Sequence, residues 1–210
     1  HVTYDFLRAL DDYYWQEYAD QFVDLVALAD LSDVMSIKSE STRAMVNYGL
    51  QNIKNNMFQE IIKAQDFSMK GIINPHTVTF YVTPLINSFL RLATLEEREL
   101  LIRAFCEVEL ETFEYTKRGE AFPIEESIYE HVVRLMKSYK AKQDRSRDKA
   151  VKLLLDRVLD FEDNKVAIIN ATGDIDGALT GLVAIRISEA INRPVLLVRE
   201  REGALMGSGR

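Results

Sequence analysis

A long helical stretch with a charged middle constrains the fold of this 210-residue chain more than any other feature. Apolar residues recur at helical spacing from Ile124 onward for roughly 35 residues. They form two stripes, one on each side of the charged middle: Ile128, Val132, Leu135, Met136 and Tyr139, then Val151, Leu154, Leu155 and Val158. A helix that is apolar at both ends and polar all round between them is typical of a segment that joins two domains across solvent. The pattern predicts a connector helix over residues 123–160.

The basic centre of this connector, residues 137–149, has two interpretations. Such charged runs are usually solvated helix surface, and the formal net charge of −7, taken alone, argues against a nucleic-acid partner. A phosphate backbone is met by one basic face, however, so the distribution of charge matters more than its sum. The same centre could therefore form one wall of a cleft that follows a phosphate backbone.

The residues before the connector are predicted to be mainly helical. Helical periodicity and capping residues mark five segments, at about 2–14, 17–32, 39–53, 58–64 and 94–108. Gly49 lies inside the third of these, where glycine is unfavourable, so a close packing contact is expected there. Residues 78–82 combine β-branched and aromatic side chains, and periodicity does not decide whether they form a strand.

The residues after the connector change to a strand, helix, strand pattern. Residues 165–169 and 195–198 have the composition of short buried strands, and Asp176 can cap the helix between them. Such a unit predicts parallel strands with a right-handed crossover, and hence an α/β fold class. The chain ends in Gly207, Ser208, Gly209 and Arg210, which we interpret as a loop suited to an anion, because glycine exposes backbone amides while serine and arginine add donors.

Composition excludes few classes of protein. No apolar run reaches the ~20 residues that span a bilayer, and no signal peptide opens the chain. Cys106 is the single cysteine and has no internal disulfide partner, which agrees with a reducing compartment. We expect a cytoplasmic protein without a membrane partner.

Asp33 is the first candidate functional residue. It follows an apolar helical stretch and is flanked by Val34 and Met35, which is a poor setting for a solvated charge. A buried carboxylate needs a partner, so we expect a backbone amide, a basic side chain or a metal ion beside it. On the pattern alone, a carboxylate that ends or caps the helix is the favoured interpretation.

A second candidate is the pair Asn87 and Arg91, which follows Pro84. Residues four apart share one face of a helix, so these two side chains are expected to point the same way. A capped turn with a surface arginine is the plainer interpretation. A phosphate contact is the alternative, since arginine makes charge-assisted hydrogen bonds to phosphate oxygens.

Taken in order, these stretches resemble the RecJ-like single-strand-specific exonucleases of the DHH phosphoesterase superfamily. The similarity is carried by residues 27–35 with Glu40, Arg43 and residues 47–50, by Pro84, Asn87 and Arg91, by residues 140–145, and by the glycine-rich end of the chain. The chain departs from the family at Leu85, Ser88 and Leu90. The Asp-His-His motif that names the superfamily does not occur in the short stretch before Asp24.

The resemblance implies a division into domains and a set of site residues. Residues 1–122 would be the mostly helical C-terminal part of a DHH domain, 123–160 the connector, and 161–210 the start of a small α/β DHH-associated domain. Asp33 would be a catalytic residue that binds manganese, with magnesium as the alternative ion. The nucleic-acid-binding residues would be Asn87, Arg91, Lys140, Lys142, Gln143, Arg145, Gly207, Ser208, Gly209 and Arg210.

The function that this resemblance implies is that of an internal fragment. The parent would hydrolyse single-stranded DNA from the 5′ end in DNA repair or recombination, with a single-strand-binding protein or a helicase as candidate protein partners. Because the catalytic site is incomplete, the fragment itself is expected to be inactive. Two alternatives stay open: a relative that cleaves cyclic dinucleotides or very short oligonucleotides, and a non-catalytic helical module that binds a protein.

Overall fold

The computed structural model describes residues 2–107, 111–158 and 165–210. By their internal contacts these residues form two compact units, His1–Ser138 and Tyr139–Arg210. The α-helices that lie wholly within the first unit are α1 (Val2–Tyr14), α2 (Val23–Ser32), α3 (Glu40–Gln51), α4 (Asn56–Met69), α5 (Pro75–Thr77), α6 (Thr83–Leu92) and α7 (Leu95–Cys106). The five predicted helical segments are thus present. The predicted domain boundaries after residues 122 and 160 stay predictions.

The core of the first unit is built on a close contact between α2 and α3. Most of α2 is apolar, and Val23, Ala27, Leu28 and Leu31 are buried. A Cβ added to Gly49 of α3 would lie 2.5 Å from the Val23 carbonyl oxygen. The contact predicted at Gly49 is therefore present, and it lets the two helix backbones approach each other.

Residues 78–82, which the sequence left undecided, are helical. Asn74 and Thr77 form a capping box that starts α5, and Val78–Val82 continue it as a single π-helical turn into α6. Val78 and Val82 are both fully buried. Pro84 lies in the first turn of α6, directly after this π-helical turn.

The helical pattern that the sequence predicts from Ile124 begins four residues later, because a strand comes first. Ile124–Ser127 form β2, which pairs antiparallel with β1 (Thr112–Tyr115) in a hairpin. The helix α8 then runs over Ile128–Val158. It starts there because the Ser127 N–H donates to the Glu130 carboxylate at 2.9 Å, while the Ser127 hydroxyl accepts from the Glu130 N–H at 3.3 Å.

A polar cluster joins this hairpin to the first turns of α8. The Arg134 Nε donates to both oxygens of the buried Glu126 carboxylate at 3.0 Å, and its Nη2 lies 3.0 Å from His131 Nδ1. The His131 ring stacks on Phe113, and the Arg134 guanidinium lies over the Tyr115 ring. Burial, with the Arg134 charge, lowers the pKa of His131 below its usual value.

The lowered pKa of His131 predicts a pH dependence of stability. The unfolded chain binds the proton more readily than the folded chain, so stability falls as the pH drops through about 6.5 and levels off below the folded pKa. We expect His131→Gln to lose a smaller part of its free energy of unfolding than the parent between pH 7.5 and 5.5. Urea unfolding of both proteins at the two pH values measures this. Equal losses would contradict it.

The second unit contains the predicted strand, helix, strand arrangement. Strand β3 (Ala167–Asn170) pairs parallel with β4 (Val195–Arg201), and α9 (Thr180–Ile191) lies between them in sequence. Ala150, Leu154 and Val158 of α8 join its buried core. None of the described helices is long and apolar enough to cross a membrane.

The glycine-rich end of the chain is a strand, so the predicted loop over residues 207–210 is wrong. Ala204–Gly209 form β5, which pairs antiparallel with β4, and Arg210 continues the pairing through two backbone hydrogen bonds with Val195. A Cβ on Gly207 would overlap the Leu197 carbonyl oxygen. Glycine here permits close strand pairing, whereas the sequence suggested a turn.

Candidate nucleic-acid interface

Asp33 directly follows the last residue of α2. Its N–H donates to the Ala29 carbonyl at 2.9 Å, so its backbone closes the helix. The side chain is exposed, which contradicts the expectation of a buried and partnered carboxylate. Val34 then adopts φ of 54°, a left-handed conformation that is strained for a β-branched residue. The chain turns sharply away and leaves the Asp33 carboxylate facing solvent.

The carboxylate nearest in sequence on α2 is that of Asp30, and it behaves differently. Asp30 is 3% exposed, whereas Asp33 is exposed. Burial raises the pKa of Asp30, and the nearby Asp33 charge raises it further. The two aspartates are therefore not equivalent, and Asp33 is the one accessible to a ligand.

Helix α6 begins beside the end of α2. The hydroxyls of Ser32 and Thr83 lie 3.4 Å apart. Thr83, Asn87 and Arg91 follow at intervals of four residues, so they share one face of α6. Asn87 is half-buried and Arg91 is exposed, and neither side chain has a hydrogen-bond or ion-pair partner among the described residues. The fold thus brings two sequence-predicted groups, Asp33 and the Asn87–Arg91 pair, onto adjoining elements of the first unit.

The residues around Asp33 do not by themselves form a metal site. In the described parts of the chain, no three or more His, Cys, Asp or Glu residues come together as a ligand set. A divalent ion such as Mn²⁺ or Mg²⁺ requires more ligands than one carboxylate. The described residues alone therefore do not make a complete site for the ion, and no catalytic step through a metal follows from them.

The basic centre of α8 is partly neutralised by its own carboxylates. Lys140 donates to Asp144 at 2.5 Å, and Arg147 also donates to Asp144, at 2.8 Å. Lys142 and Arg145 are exposed, and within the described residues neither has an ion-pair partner. Of the cationic residues that the sequence predicted on this helix, Lys142 and Arg145 are thus the two whose charge no described carboxylate pairs with.

Gln143 is the exception on this helix, because it is buried. It is 4% exposed, and its Nε2 has no hydrogen-bond partner in the described part of the protein. Gln143 is therefore too buried to contact nucleic acid directly, contrary to the prediction. A buried amide without a partner is costly. The helical spacing indicates the burial, because Gln143 lies four residues after Tyr139 and seven before Ala150, on the face that carries both apolar stripes.

The glycine-rich strand places two of its predicted residues against the start of α9. The Ser208 hydroxyl lies 3.4 Å from the Thr180 hydroxyl. A Cβ on Gly181 would come within 3.0 Å of the Arg210 guanidinium, so glycine gives this arginine its position over α9. Sequence reasoning missed Thr180 and Gly181. The sequence feature that could have indicated them is Gly181 itself, a glycine in the first turn of a helix.

Similarity to known proteins extends over most of the chain, although no protein-family model matches it. Over 200 residues, 94% of its length, the chain is 36% identical to YorK, a protein provisionally named as an SPbeta prophage-derived single-strand DNA-specific exonuclease in Bacillus subtilis strain 168. It is equally similar to the yorK product of Bacillus phage SPbeta. The chain spans 34% of the length of each of these relatives.

The solved structures agree in fold. RecJ of Thermus thermophilus, crystallised with Mn²⁺, matches 91% of this chain with a TM-score of 0.69 at 22% identity, and 26% of that RecJ chain is covered. A manganese-bound exonuclease RecJ matches with a TM-score of 0.64, with 43% of its chain covered. The mostly helical α/β fold expected from the sequence is confirmed. The chain is therefore similar in sequence to part of proteins named as single-strand DNA-specific exonucleases, and it shares the fold of part of RecJ.

Proposed function

We propose that this chain forms part of a metal-dependent exonuclease that degrades single-stranded DNA from the 5′ end. The observation that carries the proposal is the 36% identity, over nearly the whole chain, to relatives named as single-strand DNA-specific exonucleases. The RecJ structures that share the fold were solved with Mn²⁺ or Mg²⁺, which supports a divalent metal ion in the whole protein.

In this proposal each unit of the chain has a separate task. In the first unit, the accessible carboxylate of Asp33 supplies one ligand of the metal centre, and Asn87 and Arg91 contact a phosphate. In the second unit, Lys142 and Arg145 of α8, with Ser208 and Arg210 of β5, hold the strand by its phosphates. Such contacts fix the position of the strand without reading its sequence.

The remaining predicted residues take lesser roles in this proposal. Lys140 shares its charge with Asp144, so it adds to the local positive field more than to a direct contact. Gln143 supports the helix from its buried side. Gly207 and Gly209 contribute through their backbone in β5. We further propose a role in DNA repair or recombination in the cytoplasm, with a single-strand-binding protein or a helicase as the protein partner.

Salt-dependent binding tests the proposal. Fluorescence anisotropy with a labelled single strand of ~15 nucleotides should show binding that weakens steeply as salt rises. Arg210→Gln removes one charge-assisted phosphate contact, so we expect its Kd to rise roughly tenfold at moderate salt. Arg118→Gln, an exposed arginine beyond β1, is the matched control and should bind like the parent. Equal binding by Arg210→Gln and the parent would contradict the role of β5.

Activity is a separate expectation. Asp33 is the one metal ligand that the family resemblance assigns, and the described residues contain no cluster of ligands, so we expect no robust manganese-dependent digestion of single-stranded DNA by these 210 residues. A nuclease assay with and without Mn²⁺ measures this. Robust digestion that Asp33→Asn abolishes would contradict the incomplete site and would establish Asp33 as catalytic.

A further inference from the structure

The second unit contains two further cationic side chains, Arg199 and Arg201, to which the proposed function assigns no role. A surface cavity of about 220 Å³ opens beside β5. Its lining residues are Gly177, Thr180, Arg199, Arg201, Met206 and Gly207. Two arginines, a hydroxyl and two glycines are suited to an anion, because the arginines donate in a fixed fork and the glycines leave room beside the backbone.

The strand register places these arginines on the same sheet face as Ser208 and Arg210. Strands β4 and β5 pair antiparallel, with Leu197 opposite Ser208 and Arg199 opposite Met206. Side chains alternate between the two faces of a strand, and directly opposite residues share a face. The side chains of Arg199 and Arg201 therefore lie on the same face of the sheet as those of Ser208 and Arg210.

The position of Arg199 depends on a glycine, as that of Arg210 does. A Cβ on Gly177 would lie 2.5 Å from Arg199 Nη1. The Nε of Arg199 is buried without a hydrogen-bond partner, and no carboxylate pairs with its guanidinium among the described residues. Arg201 pairs with its neighbour Glu202 at 3.5 Å, and both side chains are largely exposed. The cavity thus holds an arginine whose charge nothing in the described chain neutralises.

We propose that this cavity binds a backbone phosphate of single-stranded DNA, next to the phosphate held by Ser208 and Arg210. The inference rests on the proposed function and extends it by one phosphate site. Thr180 connects the two sites, because it lines the cavity and its hydroxyl also lies 3.4 Å from that of Ser208. Adjacent sites on one sheet face suit consecutive phosphates of a flexible strand. Arg199 is the phosphate-binding residue of the new site.

The test uses Arg199→Gln and the same labelled single strand. Loss of one bidentate contact should raise Kd roughly 5- to 20-fold at moderate salt. It should also reduce the slope of log K against log salt by about 0.7, the value for one phosphate contact on a single strand. Lys165→Gln is the charge-matched control, since Lys165 precedes β3 at the opposite end of the sheet from Gly177.

Gly177→Ala provides a second variant that keeps the charge. Its Cβ displaces the Arg199 guanidinium, so binding should weaken, and Gly177→Ala combined with Arg199→Gln should bind no more weakly than Arg199→Gln alone. Parent-like binding by Arg199→Gln, while Arg210→Gln is impaired, would overturn the new site and leave the proposed function standing. An equal loss in Lys165→Gln would likewise overturn it. No binding by the parent at low salt would overturn both proposals.

Discussion

Replacing Asp24 with alanine should lower the free energy of unfolding of the first unit by about 3–5 kcal/mol. Asp24 is 2% exposed, and its Oδ2 accepts hydrogen bonds from the N–H groups of Lys54 and Asn55, both at 2.8 Å. Its Oδ1 accepts from the Leu25 N–H, also at 2.8 Å. One carboxylate thus satisfies three backbone donors, and Asn55 is also the N-cap of α4. Removing it leaves these partly buried donors without their carboxylate partner.

Urea unfolding followed by circular dichroism measures this loss. Asp12→Ala is the matched control, because it removes the same charge from an exposed position and should change stability by no more than about 0.5 kcal/mol. Asp24→Asn should fall between the two, since the amide keeps one acceptor oxygen in place. If Asp24→Ala and Asp12→Ala were equally stable, the backbone contacts of Asp24 would not stabilise the fold as we infer.

Replacing Gly49 with alanine should destabilise the first unit by about 2–3 kcal/mol, although alanine is the better helix former. The added Cβ would lie 2.5 Å from the Val23 carbonyl oxygen and 2.7 Å from Ala27 Cβ. These neighbours are backbone and a side chain that has no freedom to rotate away. The two helices must therefore move apart, which opens the core that they share.

A control on the same helix separates this effect from helix propensity. Asn47 of α3 is exposed, so Asn47→Ala gains propensity without a clash and should be neutral or slightly stabilising. The same unfolding experiment compares the two variants. A Gly49→Ala protein as stable as Asn47→Ala would mean that α2 and α3 can separate without loss, contrary to the packing of these helices.

Both substitutions act on the helix that presents Asp33. Asp24 ties the start of α2 to the turn before α4, and Gly49 brings α2 against α3. Ser32, at the other end of α2, meets Thr83 at the start of α6. The exposed carboxylate thus follows a helix that is held at both ends and along one side, as the proposed ligand role of Asp33 requires.

Periodicity and capping residues predicted the regular parts of this fold from sequence. The helix predicted from about residue 94 is present and starts with a capping box of Thr94 and Glu97, and β3 pairs parallel with β4 as predicted. Residues 124–127 were misassigned because Ile124, their one large apolar residue, lies four positions before Ile128 and so fits the helical spacing, whereas the residue that the strand buries is Glu126. Strand β5 was missed because Gly207 and Gly209 indicate a turn, whereas the neighbouring strand needs them for close approach.

The site was harder to predict than the fold, because exposure depends on tertiary packing. Asp33 has apolar neighbours in sequence, yet the left-handed turn at Val34 leaves it facing solvent. Arg199 did not stand out in the sequence, and only the pairing of β4 with β5 puts it in one row with Arg210. Contacts of this kind depend on how distant segments pair and pack, so a short stretch of sequence does not reveal them.

Competition between single-stranded and duplex DNA tests the central claim most directly. A labelled single strand of ~15 nucleotides bound to the chain at moderate salt would be displaced by unlabelled single strand or by duplex of the same sequence. We predict that the single strand competes at least roughly tenfold more effectively, as expected for a part of a single-strand-specific exonuclease. Equal competition by the duplex, or the absence of any binding to the single strand at low salt, would contradict this account.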